Sequence, residues 1–299
     1  MSSPFIIETA NLRKSYDGVD ALRGLDLRVP AGSICGLLGK NGAGKTTTIK
    51  LLLGMARPTS GEARVFGLRA DTQASSVAIR QRTGFVSEDK DLYGYMTVAE
   101  IVRFTAAFYP AWRRDLEERY VRSFALPLDR RIKTLSRGAR TKLALLLALC
   151  RGAELLVLDE PTSGLDPAAI EEVLQTLVAH VAGEEMSVFF SSHQIAEVEQ
   201  IADHIVIIDR GRVAVEGSLD DLRERYRRVQ IVFDGDAPEY AFRTPGITRM
   251  ARKGRVLTIL SSAGSDSIVQ EARALNPVAV DVMPVTLKEI FLETVVEEN

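Results

Sequence analysis

The sequence contains few of the features that mark extracellular or nucleic-acid-binding proteins. Only 2 of its 299 residues are cysteine. Cys35 and Cys150 both lie in apolar runs, which is typical of small core residues rather than of disulfides or metal ligands. With 38 Lys and Arg against 40 Asp and Glu, the net charge is -2. No basic excess therefore indicates a nucleic-acid partner, and we expect a mixed, solvated surface.

Long apolar runs are also missing. The longest purely apolar stretch covers residues 143–150, whereas a membrane-spanning helix needs roughly 18 apolar residues in succession. The first residues, Met-Ser-Ser-Pro-Phe-Ile-Ile-Glu, lack the charged start and apolar region of a secretory signal. We therefore expect a cytoplasmic chain that does not itself cross a membrane.

The hydropathy pattern predicts an α/β fold with an inserted helical segment. Short apolar runs separated by turn signals over residues 5–29 predict antiparallel strands. Buried strands are predicted at residues 33–38, 155–158 and 188–190, each followed by a helical pattern, as in a parallel sheet covered by helices. Between the first two, about residues 88–150 are predicted to be a helical subdomain, with helices at 98–109, 116–124 and 142–149.

A domain boundary is predicted between residues 228 and 229, after a short helix at 219–226. Residues 1–228 would form the main domain and residues 229–299 a small accessory α/β domain. The predicted elements of the accessory domain are strands at 229–233, 256–260 and 278–282 and helices at 268–275 and 287–295.

The strongest local signal is a glycine-rich loop between a predicted strand and a predicted helix. The loop consists of Gly39, Lys40, Asn41, Gly42, Ala43, Gly44, Lys45 and Thr46. It fits G-x-x-x-x-G-K-[ST], whose backbone N–H groups surround a polyphosphate at a helix N-terminus. Lys45 is predicted to reach the β- and γ-phosphates, the Thr46 hydroxyl to ligate Mg²⁺, and Thr47 to join the nucleotide contacts. The alternative is a flexible turn, which this placement does not favour.

Two adjacent carboxylates follow the apolar run at 155–158. Asp159 and Glu160 stand at the carboxyl end of a predicted parallel strand, where such sheets bind ligands. Asp159 suits a Mg²⁺ shell, and Glu160 can polarise a water for attack on a γ-phosphate. The alternative is a strand end with ordinary surface acids.

These motifs, in this order, resemble the ATP-binding cassette (ABC) ATPases over about residues 7–217. The resemblance implies a P-loop NTPase core with antiparallel β and helical subdomains. It also implies hydrolysis of ATP with Mg²⁺ in a dimer, formed by two copies or with a related subunit. The partner would be a separate transmembrane permease, with the chain on the inner face of the membrane and no nucleic acid bound.

The resemblance assigns further residues. Tyr16 matches the aromatic residue that stacks on adenine, although by itself Tyr16 would sooner be a packing residue of an edge strand. His193 matches the switch histidine that contacts the γ-phosphate. Residues 161–166 resemble the D-loop, which links the two sites of the dimer through Asp166. On its own, Asp166 followed by Pro167 would be only a helix cap.

Residues 135–139, Leu-Ser-Arg-Gly-Ala, stand where the family has its signature L-S-G-G-Q, and we call them the signature segment. The resemblance implies that Ser136 and Gly138 contact ATP held by the second protomer, helped by a helix N-terminus. Arg137 replaces a glycine. It could contact phosphate or point to solvent, and the sequence leaves both open.

A second departure is Glu88, where most relatives carry a glutamine that ligates Mg²⁺. A carboxylate can also bind the cation. It adds negative charge near Asp159 and Glu160, so we expect ATP binding to depend more strongly on Mg²⁺. The aromatic residues between 92 and 112 are predicted to be mostly helix core, with docking anchors for the permease as the alternative.

Three functions compete. The first is a transporter ATPase, with export favoured because the C-terminal residues resemble those of ABC-2-type exporters. The others are a soluble ABC protein acting on DNA or the ribosome, and a regulatory module that only binds ATP. Glu160 argues against the last of these.

Overall fold

The computed structural model describes residues 4–184 and 186–295 of the chain. Its internal contacts divide the chain between Glu216 and Gly217, whereas the sequence places the boundary at residue 229. The helix Leu219–Arg225 falls in the C-terminal unit because it packs against the helix Leu287–Thr294 of that unit. Among the described residues, no helix combines the length and apolar character needed to cross a membrane.

Two sheets and their surrounding helices make up the N-terminal unit. Its strands are β1 (Phe5–Tyr16), β2 (Val19–Pro30), β3 (Ile34–Leu38), β4 (Ser60–Val65), β5 (Leu68–Arg69), β6 (Thr83–Val86), β7 (Leu155–Asp159), β8 (Ser187–Ser192), β9 (His204–Asp209) and β10 (Arg212–Ser218). Its helices are α1 (Lys45–Leu52), α2 (Gln73–Gln81), α3 (Val98–Ala106), α4 (Arg114–Ser123), α5 (Arg137–Leu149), α6 (Pro167–Glu184) and α7 (Ile195–Ile201).

The larger sheet has the strand order β10-β9-β3-β8-β7-β6. β3 pairs in parallel with β8 and β9, and β7 pairs in parallel with β6 and β8. β3, β7 and β8 are buried along their whole length, as expected for parallel strands covered on both faces. The parallel sheet predicted from the apolar runs is confirmed. Because these strands share one direction, the segments that follow them meet at one edge.

The smaller sheet, in the order β2-β1-β4-β5, is antiparallel. It confirms the antiparallel strands predicted for residues 5–29. Helix α1 lies between the two sheets, since Ile49 and Leu52 share a buried cluster with Ile7 of β1 and Val157 of β7. Each such buried side chain stabilises the fold by about 1.5–3 kcal/mol. This packing fixes the start of α1 against the end of β3.

A helical segment separates β6 from β7 and contains α3, α4 and α5. The predicted helical subdomain is therefore present. The last helix, predicted to start at residue 142, starts at Arg137 instead. The earlier start follows from the Ser136 hydroxyl, which accepts the backbone N–H of Ala139 at 3.2 Å and caps the helix.

Both cysteines are fully buried free thiols. Burial raises the pKa of the Cys35 thiol well above its usual value, and it raises the pKa of Cys150 to about 12. Both side chains are therefore protonated core groups at neutral pH. The sequence predicted this role for both.

The C-terminal unit is a four-stranded antiparallel sheet with helices. Its elements are α8 (Leu219–Arg225), β11 (Arg227–Val232), β12 (Ile247–Lys253), β13 (Val256–Ser261), α9 (Ser265–Arg273), β14 (Ala279–Pro284) and α10 (Leu287–Thr294). The strand order is β12-β13-β11-β14. Ile268 of α9 shares a buried cluster with Val229, Ile231 and Ile259 of the sheet. Residues 296–299 of the predicted accessory domain lie outside the described residues.

Candidate nucleotide-binding site

The loop between β3 and α1 needs glycine at several positions. Gly42 and Gly44 have φ values of +81° and +110°, in the region that side chains rarely adopt. A Cβ atom on Gly44 would lie 2.7 Å from Leu22 Cδ2, and one on Gly39 would lie 2.7 Å from the carbonyl oxygen of Ile208. The loop can therefore pack tightly, and it leads directly into the N-terminus of α1. A helix N-terminus of this kind is suited to binding an anion.

A cleft of about 610 Å³ lies over this loop and gathers most of the predicted site residues. Its lining residues are Val19, Asp20, Ala21, Lys40, Asn41, Gly42, Gly44, Lys45, Thr46, Thr47, Glu88, Glu160, Ser163 and His193. Gly39 and Ala43 are buried in the loop and do not line the cleft. Segments after β3, β6, β7 and β8 thus converge, as the parallel sheet requires.

Lys45 is held at the centre of the cleft although only 6% of the residue is exposed. Its Nζ donates to the carbonyl oxygen of Gly39 at 2.8 Å and forms an ion pair with Glu160 Oε1 at 3.2 Å. The ammonium is therefore placed beside both the loop and a carboxylate. This position suits a group that binds phosphate oxygens.

Glu160 bridges two cleft residues. Its Oε1 contacts Lys45, and its Oε2 lies 2.8 Å from Nδ1 of His193. The Glu160 side chain is only 7% exposed, whereas the His193 side chain, which also lines the cleft, is 46% exposed. A buried carboxylate between a fixed cation and an imidazole is suited to proton transfer at that point.

The Glu160 backbone is left-handed, with φ +47°. A residue with a side chain is disfavoured there by about 1–2 kcal/mol. The surroundings hold it in place, since the Glu160 N–H donates to Ser191 Oγ at 2.9 Å. Its carbonyl oxygen accepts the N–H of Ser163 at 3.2 Å and Nζ of Lys90 at 3.4 Å. Strain of this kind, maintained by several contacts, is common at functional sites.

Ser191 is a residue that the sequence analysis did not single out. Its hydroxyl donates to Asp159 Oδ1 at 2.7 Å while accepting the Glu160 N–H. The Ser191 hydroxyl therefore fixes both acidic residues at once. The signal for it was its position two residues before His193, at the end of a strand that pairs with β7.

Glu197 was also missed. This buried residue of α7 accepts hydrogen bonds from Thr162 Oγ1 at 2.6 Å and from Ser192 Oγ at 2.9 Å. Thr162 follows the acidic pair and Ser192 precedes His193, so the carboxylate joins the two loops that carry Glu160 and His193.

Besides Gly39 and Ala43, four elements of the predicted site do not line this cleft: Tyr16, Ser136 with Gly138, the buried Asp159, and Asp166. The Tyr16 ring is 43% exposed, and Lys14 Nζ lies 4.6 Å from its centre. Tyr16 nevertheless pairs with Val19, which does line the cleft. Asp166 Oδ1 accepts the N–H of Ala169 at 2.9 Å and so caps α6.

Arg137 is exposed, as one of the two alternatives from the sequence has it, and it also makes a contact within its own chain. It contacts the D-loop of its own chain, with Nη2 3.4 Å from Ser163 Oγ. The guanidinium also fills the space beside Gly164, where a Cβ atom would lie 2.3 Å from Arg137 Cζ. The substituted residue of the signature segment is thus joined to a loop that reaches the nucleotide cleft through Ser163.

Four aromatic side chains form an exposed patch beside the helical segment. Tyr93, Tyr95, Phe104 and Phe108 are between 42% and 68% exposed. Their rings are in contact, with 5.9 Å between the centres of Tyr93 and Phe104 and 5.1 Å between those of Phe104 and Phe108. The prediction that this region is mostly core is wrong for these four residues, which we call the aromatic patch.

Known proteins that resemble this chain are ATP-binding proteins of ABC transporters. Residues 22–163 match the family model described as ABC transporter. The ABC transporter ATP-binding protein YtrB of Bacillus subtilis (strain 168) is 28% identical over 96% of this chain and 97% of its own length. The bacitracin transport ATP-binding protein BcrA of Bacillus licheniformis is 34% identical, over 75% of this chain and 73% of its own.

A solved structure of an ATP binding subunit of an ABC transporter superposes with a TM-score of 0.66. It is 30% identical in sequence and covers 73% of this chain and 92% of its own. The agreement therefore extends from motifs to the arrangement of the elements that carry them. The chain belongs to the ABC transporter family as one of its ATP-binding subunits.

Proposed function

We propose that the cleft over the glycine loop binds Mg²⁺-ATP and that Glu160 activates the attacking water. The observation that carries this proposal is the Glu160 carboxylate, held between Lys45 Nζ at 3.2 Å and His193 Nδ1 at 2.8 Å. In the reaction, the water oxygen bonds to the γ-phosphorus while the bond to the β-γ bridging oxygen breaks. Glu160 accepts the proton of the water, and ADP leaves with the bridging oxygen.

Lys45 then neutralises charge on the phosphates, and His193 orients Glu160 and the γ-phosphate. Loop backbone N–H groups would contact the same phosphates, and Tyr16, beside the cleft, would support the adenine. Each of these roles needs a fixed position more than chemical reactivity, since phosphoryl transfer is catalysed mainly by positioning and charge.

The donors for Mg²⁺ would be the Thr46 hydroxyl, Glu88 and Asp159. Thr46 and Glu88 line the cleft, and Asp159 is buried at the adjoining strand end. Among the described residues, no group of three His, Cys, Asp or Glu side chains forms a metal site of its own. This set fits Mg²⁺, which typically uses one or two carboxylates together with phosphate oxygens. When bound, the cation neutralises charge that develops on the phosphates.

The signature segment is proposed to complete the site of a second protomer. Ser136 and Gly138 do not line the cleft of their own chain, yet Ser136 is exposed at the start of α5. A helix N-terminus with an exposed hydroxyl favours a phosphate group. Two chains facing each other would each supply the half that the other needs, and Asp166 would lie near the contact between them.

Mixing two inactive variants tests this arrangement. In Lys45→Ala the glycine loop is impaired, and in Ser136→Asp the signature segment repels phosphate but keeps a residue that caps helices well. Each variant alone is expected to lose about 90% or more of phosphate release from Mg²⁺-ATP. Their mixture should recover activity, because half of the composite sites in a mixed dimer contain both intact halves.

Lys50→Ala, a change at an exposed lysine of the same helix α1, is the control and should remain active. A mixture that stays inactive, although mixed dimers form, would contradict the composite site. An active Lys45→Ala chain would contradict the nucleotide cleft itself.

We also propose that the ATPase powers export and that the aromatic patch docks a permease at the inner face of the membrane. The match to YtrB continues through the C-terminal unit, and BcrA is named for bacitracin transport. Exposed aromatic clusters are frequent anchors in protein interfaces. Tyr95→Ser with Phe108→Ser should reduce co-purification with an integral membrane protein, whereas Val278→Ser, an equally exposed apolar residue of the C-terminal unit, should not. Transport into inside-out vesicles, rather than out of them, would support export.

A further inference from the structure

Lys90 is buried in the turn that follows β6. Only 7% of the residue is exposed, although lysine is seldom buried without partners. Its backbone is left-handed, with φ +51°, and its N–H donates to the carbonyl oxygen of Ser87 at 3.2 Å. This tight turn directs the side chain back along the segment that carries Glu88 rather than out to solvent.

The Lys90 ammonium binds main-chain carbonyl groups of two segments that border the cleft. Nζ donates to the carbonyl oxygen of Glu88 at 3.0 Å and to that of Glu160 at 3.4 Å. Within residues 4–184 and 186–295, no carboxylate oxygen forms an ion pair with it. An ammonium has three donors in flexible directions, so it can join two backbone segments in this way.

The contact with Glu160 stabilises a backbone conformation that is unfavourable by itself. The left-handed conformation of Glu160 is held by Ser191 on its N–H and by Ser163 and Lys90 on its carbonyl oxygen. Ser163 is three residues further along the same loop, and Ser191 belongs to β8 on one side of β7. Lys90 is the support from the other side, where β6 pairs with β7.

Lys90 also lies between the nucleotide cleft and a cavity beside the helical segment. Glu88 lines the cleft, whereas Lys90 lines a separate cavity of about 230 Å³. That cavity is bordered by Thr105 of α3 and by Ala144 and Leu147 of α5.

We propose that Lys90 is a positioning residue for ATP hydrolysis, which ties the Glu88 segment to the Glu160 carbonyl and thereby keeps the Glu160 carboxylate directed at the cleft. The proposal rests on the role of Glu160 given above. Lys90 does not line the nucleotide cleft, so it would act through the Glu160 backbone. It sets how often Glu160 is in the productive position, so its loss should lower kcat with little effect on ATP binding.

The first test is Lys90→Met, which keeps the apolar length of the side chain and removes its donors. In the purified full chain, kcat for phosphate release should fall about tenfold, while KM and the Kd for Mg²⁺-ATP stay within about twofold. Lys90→Arg, which keeps charge and donors, should restore most of kcat. Unchanged kcat in Lys90→Met would overturn the proposal, as would a loss of ATP binding equal to the loss of kcat.

The second test separates positioning from neutralisation of charge. If Lys90 served only to offset the negative charge of Glu88, then Glu88→Gln would rescue Lys90→Met. We expect no rescue, because the carbonyl oxygen of Glu160 still lacks its partner. Rescue in the double variant would overturn the proposal. Thermal unfolding of each variant checks folding, and Lys90→Ala replaces Lys90→Met if the longer side chain prevents it.

ATP binding by the parent chain is measured in the same series. A parent chain that binds no ATP would overturn the proposed function and this inference with it. A parent that binds and hydrolyses ATP, with a fully active and folded Lys90→Met variant, would overturn this inference alone.

Discussion

The nucleotide cleft and the signature segment differ in how their polar groups are held. In the cleft, Lys45 and Glu160 are about 7% exposed and joined by an ion pair, and Ser191 fixes the backbone beside them. In the signature segment, Ser136 is exposed and its described contact is the cap of α5. The cleft is thus organised within the chain. The signature segment exposes the start of helix α5 at the surface. This is expected of a site that a second molecule completes.

The largest effect is expected from Glu160→Gln, which removes the carboxylate that the cleft holds in place. The amide cannot accept the proton of the attacking water, so kcat should fall by about 10²-fold or more. ATP binding should persist because the glycine loop and Lys45 are intact. Phosphate release and nucleotide binding are measured in parallel. Glu224→Gln, at an exposed residue of α8, is the matched control, and retention of a tenth of the activity in Glu160→Gln would contradict the assignment.

His193→Ala is expected to have the next largest effect. Loss of the 2.8 Å contact between Nδ1 and Glu160 Oε2 leaves the carboxylate with Lys45 as its side-chain partner. We expect kcat to fall about 10- to 30-fold with an unchanged melting temperature, because His193 is half exposed and contributes little to packing. His193→Gln, which keeps an amide donor, should lose less. Equal losses in both variants would argue against the hydrogen bond as the reason.

The contact between Arg137 and Gly164 joins the signature segment to the loop beside the cleft, so the two regions are coupled if this contact carries energy. Gly164→Ala places a Cβ at φ +70° and against the guanidinium. It should lower the free energy of unfolding by about 1–2 kcal/mol, part of which Arg137→Ala should remove. Urea unfolding of the two single variants and the double variant measures the coupling. Gly183→Ala, where a Cβ meets nothing within 4 Å, is the control and should not destabilise. Strict additivity would show that the contact carries no energy.

Glu88→Gln should give the smallest change. Removing one negative charge near Asp159 and Glu160 should reduce the ratio between ATP affinity with and without Mg²⁺ by roughly three- to tenfold. Titration of Mg²⁺ at fixed ATP measures it. Asp89→Asn, which alters a neighbouring acid that does not line the cleft, serves for comparison. An unchanged ratio would mean that Glu88 does not affect the cation.

Sequence patterns predicted the parts of the site whose residues are adjacent in the chain. The loop from Gly39 to Thr46 works through consecutive backbone groups, and Asp159 and Glu160 follow one apolar strand. Both motifs could be predicted from the local sequence, without knowing which segments lie beside them in the fold. The same holds for the buried strands β3, β7 and β8, since burial on both faces requires an uninterrupted apolar run.

Contacts between segments that are far apart in sequence could not be predicted in this way. Lys90 is 70 residues from Glu160, and Ser191 is 32 residues from Asp159. The contact between Arg137 and Ser163 likewise joins residues that are 26 positions apart. The strand β12 escaped prediction because six of its seven residues are exposed and several are charged. Its pairing with β13, rather than its own composition, makes it a strand.

The buried thiols have a practical consequence. Cys35 and Cys150 are inaccessible and protonated at neutral pH, so alkylating reagents will leave them unmodified in the folded chain. A cysteine introduced at an exposed position would be the single labelled site. Cysteines in place of Asn41 and Ser136 could therefore be crosslinked or fitted with spin labels in the otherwise unaltered sequence. The separation between the cleft of one protomer and the signature segment of another then becomes a measurable distance.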